Sequence, residues 1–431
     1  MGTTGVVLGK FLPFHRGHRF LVERAAAACD ELFVLVMGSS AEEAIIPLAT
    51  REAWVRELVG SPRVHVRARI TDGPMSWTDP AIIAFWNRVI LEMVGRPSVD
   101  VLFTSEGDTY GDVTAAGIGA RHVCVDPGRA AVPISGTAIR RDPLAAWAYL
   151  DPPVRAFYAR RVRVIGGEST GKTTLTDLLA RRFETAWVPE FGRAYSDPKD
   201  ARGETWTTAD FVAIATRQGD LEDVVARRAD RVLFADTDAL TTGIWHRVYL
   251  GARDAGVDAI GATRPYALTL VAGTDIGWVQ DGDRRSPHER ALQQAELTAR
   301  LDELGAPWLL VTGSRRERVA VASAAVEAAT GTAAPAGGLD WLELGLEGRW
   351  RHLVPGGRHG LRVRPGGPDA IEVAASLDRE RTDYATLGSA LALQPAAVRE
   401  ADWYAARHVE LAYAVARSDD ERVAANAGPA T

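Results

Sequence analysis

In the first 150 residues the apolar positions fall in short blocks that alternate with stretches of helical period. Residues 5–9, 32–37, 100–104 and 122–125 are largely apolar blocks of strand length. Residues 17–28 and 79–94 carry apolar positions three and four apart, the spacing of a one-sided helix. Buried strands that alternate with helices imply a parallel sheet between helical layers. The pattern restarts after a short helix opened by Asp151-Pro152-Pro153. Residues 162–165, 231–235, 266–272 and 308–311 read as strands, the first followed by a glycine-rich turn and a helix to about Phe183. The expected fold class is α/β: two doubly wound parallel-sheet domains, over residues 1–150 and 151–330. Residues 330–338, TGTAAPAGG, have linker composition. Beyond them, residues 361–363 and 371–374 read as strands. Pro395 opens a helix in which Val398, Ala405, Val409, Ala412 and Ala416 recur at helical spacing. A small α+β appendage is expected over 339–431.

Composition changes this picture little. Hydrophobic residues make up 46% and charged residues 25% of the 431 residues, an ordinary globular balance. No apolar run approaches the ~20 residues of a membrane span, and no basic stretch followed by an apolar one opens the chain. The net charge of −6 does not favour a general nucleic-acid-binding surface. Cys29 and Cys124 are far apart and in no metal or redox spacing. A reduced, cytoplasmic protein acting on small molecules is expected, and an oligomer is compatible with the sequence.

Lysine usage is more telling. Arginine has replaced lysine almost everywhere, leaving only Lys10, Lys172 and Lys199. A lysine ammonium is a compact point charge that fits beside phosphate differently from guanidinium. Lys10 and Lys172 each lie in a glycine-containing loop after a predicted strand. Lys199 lies in a polar SDPKD stretch and is expected to be a solvated loop residue.

The first loop reads Gly9-Lys10-Phe11-Leu12-Pro13-Phe14-His15-Arg16-Gly17-His18. Two histidines three apart at a helix start share a face. Gly17 lets a ligand approach the backbone, and helix-start amides favour anions there. Residues 134–140, ISGTAIR, place hydroxyls, a glycine and an arginine at another helix start. Together, H-x-G-H and I-S-x-T-x-x-R resemble the nucleotidylyltransferase superfamily. The resemblance implies that His15 and His18 bind the triphosphate of ATP, with Lys10 and Arg140 as cationic clamps and Ser135 and Thr137 as further donors. It also implies direct attack of a substrate phosphate on the α-phosphorus, with no enzyme nucleophile.

The second loop is a full Walker A pattern, Gly166-Gly167-Glu168-Ser169-Thr170-Gly171-Lys172-Thr173, between a strand and a helix. Its amides are expected to wrap phosphates, Lys172 to reach the terminal ones, and Thr173 to bind magnesium. An apolar strand ends in Asp236-Thr237-Asp238. Strand ends in such sheets face the ligand crevice, which makes Asp236 the candidate for magnesium or its water shell. Glu190 in PEFGR is a candidate proton acceptor and Arg193 a phosphate holder; a salt bridge or helix cap is the competing role for each. Arg284, in the charged stretch WVQDGDRR, is a candidate lid residue on the transferring phosphate.

The order transferase then kinase resembles the bifunctional NadR-type enzymes over about residues 4–330. The motifs that carry it are GKFLPFHRGH, LFTSEGD, VDPGR with ISGTAIR, GGESTGKTTL, PEFGRAY, DTDALTT and WVQDGDRR. The family implies phosphorylation of ribosylnicotinamide to nicotinamide mononucleotide (NMN) with ATP, then adenylylation of NMN with a second ATP to NAD and pyrophosphate; Mg2+ is the expected metal cofactor. On the substrate side stand Asp72, Trp77, Trp86, Arg193 and Asp238. Trp77 and Trp86 suit stacking on a cationic pyridinium ring, with core packing as the competing role. Some family members carry an N-terminal repressor domain; here a transferase strand is expected by residue 5, so that role is not expected. The competing fusion is pantetheine-phosphate adenylyltransferase with dephospho-coenzyme A kinase, against which PEFGR, DTDALTT and the tryptophan pair argue. A nucleotide sensor without turnover is the alternative from another class, and the intact His, Lys and carboxylate sets argue against it.

Overall fold

The computed structural model describes residues 2–335, except 77, 106–108 and 278–286. Three sequence expectations therefore lie outside the described residues: Trp77, the Arg284 lid and the 339–431 appendage. The chain divides into two compact units between Tyr158 and Ala159. The short helix predicted at Pro152 thus belongs with the first unit, where its Phe157 meets Trp54 edge to face at 5.5 Å.

The first unit runs β1 (Thr4–Gly9), α1 (Arg16–Ala27), β2 (Glu31–Gly38), α2 (Ser40–Glu43), α3 (Leu48–Val59), β3 (Val64–Ile70), α4 (Pro80–Val94), β4 (Val101–Thr104), α5 (Thr109–Gly117), β5 (Arg121–Cys124), α6 (Gly136–Arg141) and α7 (Pro152–Tyr158). The strands are parallel in the order β3-β2-β1-β4-β5. The chain's first strand is therefore central, and the strand order reverses beside it. Such switch points open a crevice at the carboxyl ends of the strands. Sequence explains the local pieces. In α4, Asp79 caps the start by accepting from the Ala81 amide at 2.9 Å, Pro80 pre-sets the first turn, and Gly95 (φ 73°) ends the helix. Val89, Ile90, Met93 and Val94 on α4 then pack on Val6, Phe33, Leu35 and Leu102 of the sheet.

The second unit runs β6 (Arg160–Ile165), α8 (Lys172–Arg182), β7 (Trp187–Val188), α9 (Phe191–Ala201), α10 (Thr208–Ala226), β8 (Val232–Asp236), α11 (Ala239–Leu250), α12 (Ala255–Ala262), β9 (Leu268–Ala272), α13 (Pro287–Glu303), β10 (Trp308–Val311) and α14 (Arg315–Thr330). Its parallel order is β10-β9-β6-β8-β7, again with the first strand central. Leu175 and Leu179 of α8 and Val319 and Val326 of α14 pack on Val162, Val164, Phe234 and Leu270.

Two local expectations need correction. The SDPKD stretch is part of helix α9, with Pro198 inside it, and Lys199 is only 8% exposed. Its ammonium lies 3.1 Å from Asp210 and 5.5 Å from the Trp206 ring centre, so partners from the following segment replace water. Strand β3 was not among the expected strands, although Val64, Val66, Ala68 and Ile70 alternate with His65, Arg67 and Arg69. That period of two is the signature of an edge strand with one apolar face. Arg67 lies over the Phe33 ring at 5.2 Å and donates to the Met93 carbonyl.

Candidate functional site

In the first unit the loop after β1 places His15 at the N-cap of α1, where its Nδ1 accepts from the His18 amide at 3.3 Å. The two imidazoles stack, 3.6 Å between centres and 19° between planes. Phe11 meets His18 edge to face at 5.0 Å. Burial, then the positive charge of Arg129, holds His15 down to about 3. His18 is pushed well below the ordinary value by burial, His15 and Arg129. Both are neutral at neutral pH. Since His15 Nδ1 accepts, its single proton sits on Nε2.

The downstream segment meets this loop. A Cβ at Gly17 would lie 3.1 Å from the His15 ring, a tight contact, and 3.6 Å from Ile134 Cγ2, so the two segments close on this position. Arg140 donates to the Leu12 carbonyl and, at 3.1 Å, to Thr137 Oγ1. Ser135 Oγ caps α6 by accepting from the Ala138 amide at 3.1 Å. His15, His18, Gly17, Ser135, Thr137 and Arg140 are therefore brought together. Gly9 faces the Phe11 ring rather than open space, with its would-be Cβ 3.2 Å away. Lys10 stands at the same strand end, with Nζ 2.7 Å from Glu42.

On the expected substrate side, Asp72 accepts from the Ser40 amide at 2.9 Å and from its hydroxyl at 2.5 Å. Those bonds lower its pKa. Trp86 Nε1 donates to the Pro74 carbonyl at 2.8 Å, and its ring stands edge to face with Phe85 at 5.2 Å. Packing of the 72–74 turn on these two rings is thus real: a Cβ at Gly73 would lie 2.8 Å from Phe85.

In the second unit the Walker loop follows β6. Gly166 (φ 152°), Ser169 (φ 56°) and Gly171 (φ 79°) turn the backbone back on itself. Successive turns of this sign form amide nests for anions. Thr170 is fully buried and donates to the Gly167 carbonyl at 2.8 Å, and Lys172 Nζ donates to the same carbonyl at 3.0 Å. Glu168 contributes its amide, which donates to Gln293 Oε1 at 3.2 Å. Thr173 Oγ1 donates to Asp236 Oδ2 at 2.5 Å. Asp236 is fully buried. Burial, then the negative charge of Glu190, pushes it up to about 7, against the pull of Lys172 and Thr173. Its Oδ1 has no hydrogen-bond partner among the described residues. Glu190 precedes α9, 4.0 Å from Arg193.

Asp238, expected on the substrate side, is paired within the protein. It caps α11 by accepting from the Thr241 amide and hydroxyl, and its other oxygen is paired with buried Arg163. At 1% exposure its oxygens are committed to the protein.

Several residues at the two crevices were not among the expected site residues, although Arg129 closes the VDPGR motif. Arg129 supplies the charge felt by both histidines. Gln294 accepts from the Gly167 amide at 2.9 Å and donates to the Ala272 carbonyl, tying the Walker loop to β9. Arg318 donates to the carbonyls of Thr170, Gly273 and Gly313. Arg318 lies in the first turn of α14 beside Arg315, Arg316 and Glu317, so nothing in the sequence singled it out.

Two parallel sheets, each with a phosphate-type loop after its central strand, define a two-domain nucleotide-dependent transferase. Residues 6–142 match the cytidylyltransferase-like family, and residues 161–318 match the family described as an AAA domain. The trifunctional NAD biosynthesis/regulator protein NadR of Salmonella typhimurium (strain LT2) is 30% identical over 292 residues, 65% of this chain and 71% of that protein. Its counterpart in Escherichia coli (strain K12) is 29% identical over 303 residues, 65% of this chain and 72% of that protein. The chain belongs to the NadR family. Two crystal structures of NadR protein share the fold at 21% identity. The one in complex with NR has a TM-score of 0.63 and the one with NAD and AMP-PNP 0.62; each comparison covers 77% of this chain and 97% of the other.

Among the described residues no helix is long and apolar enough to cross a membrane.

Proposed function

We propose that the protein is a bifunctional enzyme of NAD biosynthesis. Its second unit phosphorylates ribosylnicotinamide to NMN with ATP, and its first unit joins NMN to the adenylyl group of a second ATP. The observation that carries this reading is the pair of complete phosphate loops at two switch points, each with its charge complement, in a chain whose relatives are named for NAD biosynthesis.

In adenylyl transfer a phosphate oxygen of NMN attacks the α-phosphorus of ATP. The α–β bridging P–O bond breaks and pyrophosphate leaves with the bonding electrons. The nucleophile is already anionic, so no protein base is needed, and the site has only to align the reactants and offset charge. His15 and His18, neutral and stacked, each offer an N–H to phosphate oxygens. Arg129, Arg140 and Lys10 supply positive charge, and Ser135 and Thr137 stand at the α6 start as hydroxyl donors.

In the kinase unit a hydroxyl of ribosylnicotinamide attacks the γ-phosphorus, ADP leaves, and the hydroxyl proton passes to Glu190. Lys172 swings from the Gly167 carbonyl to the terminal phosphates. Thr173 Oγ1 and Asp236, with its unpartnered Oδ1, are hard oxygen donors that fit magnesium, and they would hold it beside the nucleotide. Bound there, magnesium neutralises the β- and γ-phosphate oxygens. Arg193, beside Glu190, is the phosphate-holding arginine of this reading; in the first unit, Trp86 is the stacking surface for the pyridinium ring of NMN.

The test is product analysis after incubation with ribosylnicotinamide, ATP and magnesium, followed by addition of pyrophosphatase. NMN and NAD are expected. Turnover of phosphopantetheine instead, or none of either substrate, would overturn the proposal.

A further inference from the structure

A lysine beside a phosphate loop is useful in proportion to how well its ammonium is placed. Lys10 follows β1 with 66% of its side chain exposed, yet its Nζ is held 2.7 Å from Glu42 Oε1. Glu42 comes from α2, just past β2, and its side chain is only 12% exposed. Beneath the pair lies Arg51 of α3, with no exposed surface. Arg51 Nη1 donates to the carbonyls of Lys10 (2.8 Å) and Met37 (3.1 Å), and Nε donates to that of Ile46 (3.0 Å). The same Nη1 is 3.9 Å from Glu42 Oε2. One guanidinium therefore clips the ends of β1 and β2 together and neutralises the carboxylate that holds the lysine. Gly38 makes room for it, since a Cβ there would lie 3.0 Å from Arg51 Nη2.

Helix capping does not account for this charge. Glu42 closes a capping box on α2 by accepting from the Ser39 amide at 3.2 Å, and glutamine serves that purpose equally. A nearly buried carboxylate is costly unless it is paired, and Glu42 is paired with Arg51 and Lys10. Here the charge faces the ammonium that stands at the transferase crevice.

The structure assigns Glu42 as a positioning residue for adenylyl transfer: it orders the Lys10 ammonium at the end of β1, with Arg51 as its buried brace, so that an incoming nucleotide phosphate meets a fixed cation. This rests on the adenylyl-transfer reading of the first unit. Glu42 acts only through Lys10, which makes the assignment separable from a general structural role.

The experiment is a double-mutant cycle in the full chain, reading NAD formation from NMN and ATP for the wild type, Glu42→Gln, Lys10→Ala and the double variant. Glutamine keeps the capping box and removes the charge. Glu42→Gln is expected to lower kcat/KM about fivefold or more, the scale of coupling between contacting groups. In the Lys10→Ala background the same substitution should change nothing. Multiplying effects, or full activity of Glu42→Gln, would overturn the assignment. A folding defect would persist without Lys10 and so also counts against it. A wild type that makes no NAD would sink the adenylyl-transfer reading instead. In that case the same cycle, read as the binding of inorganic tripolyphosphate, still decides whether Glu42 acts through Lys10.

Discussion

Replacing Gly166 by alanine tests whether the Walker loop backbone, as folded, is the phosphate-binding conformation. Gly166 has φ 152°, in the region that favours glycine, and an added Cβ would lie 2.7 Å from the Ala272 carbonyl oxygen and 3.0 Å from Thr170 Oγ1. The first of these is backbone of β9, which also accepts from Gln294 at 3.2 Å, so it cannot yield cheaply. Backbone strain of this kind costs about 1–3 kcal/mol, and forcing a methyl into a filled space costs about 1–3 kcal/mol more. The loop relieves this by shifting, which misplaces amides aimed at phosphate. At 1.36 kcal/mol per decade, a loss of about 3 kcal/mol in the transition state is roughly a 100-fold fall in kcat/KM. Phosphorylation of ribosylnicotinamide, followed as NMN by chromatography, should fall by that amount in Gly166→Ala. NAD formation from added NMN in the same sample should stay within about threefold of the wild type, because the first unit has its own loop and core. Phosphorylation within threefold of the wild type would refute the reasoning.

The two activities should separate at the level of single side chains. Lys172→Ala should abolish NMN formation yet spare NAD formation from added NMN, and His18→Ala should cut the latter by ~100-fold, the scale of a lost transition-state donor; loss of both activities in a folded Lys172→Ala protein would contradict separate sites. The depressed pKa of His15 also predicts a pH dependence. Because the unfolded chain binds its proton near 6.5 and the folded one only near about 3, this group's stability is fully present above 6.5 and is lost as pH falls towards 3, at up to about 1.4 kcal/mol per unit. His15→Gln should therefore show a shallower decline of unfolding free energy between pH 6.5 and 4, and equal slopes would rule the linkage out. Truncation after Gly338 should leave both reactions measurable, since both phosphate loops lie before it; a soluble, folded truncation lacking either reaction would place the tail in a site or a required assembly.

Much of the chemistry was legible in the chain because phosphate loops are local. A strand, a glycine-rich turn and a helix start form within about a dozen residues, so H-x-G-H and the Walker pattern could be read without knowing the rest of the fold. Periodicity gave both α/β units for a related reason: buried parallel strands must be apolar on both faces. Lys199 shows the limit. Its neighbours in sequence are polar, yet Asp210 and Trp206 make a buried site for it, and no local pattern encodes that pairing.

By itself, then, the sequence determined which short segments can cradle phosphate and which must be strands, because those properties depend on neighbours a few residues apart. The tertiary structure decided what each charged group does. Thr173 meets Asp236 across 63 positions, and Arg318 braces the Walker loop from 148 positions away. Asp236 and Asp238 are two residues apart on one strand end, with the same side chain. One was left buried with a free oxygen beside Glu190, and the other was consumed by Arg163 and Thr241. The strand order around β6 placed those partners, and electrostatics acts through the space that strand order creates.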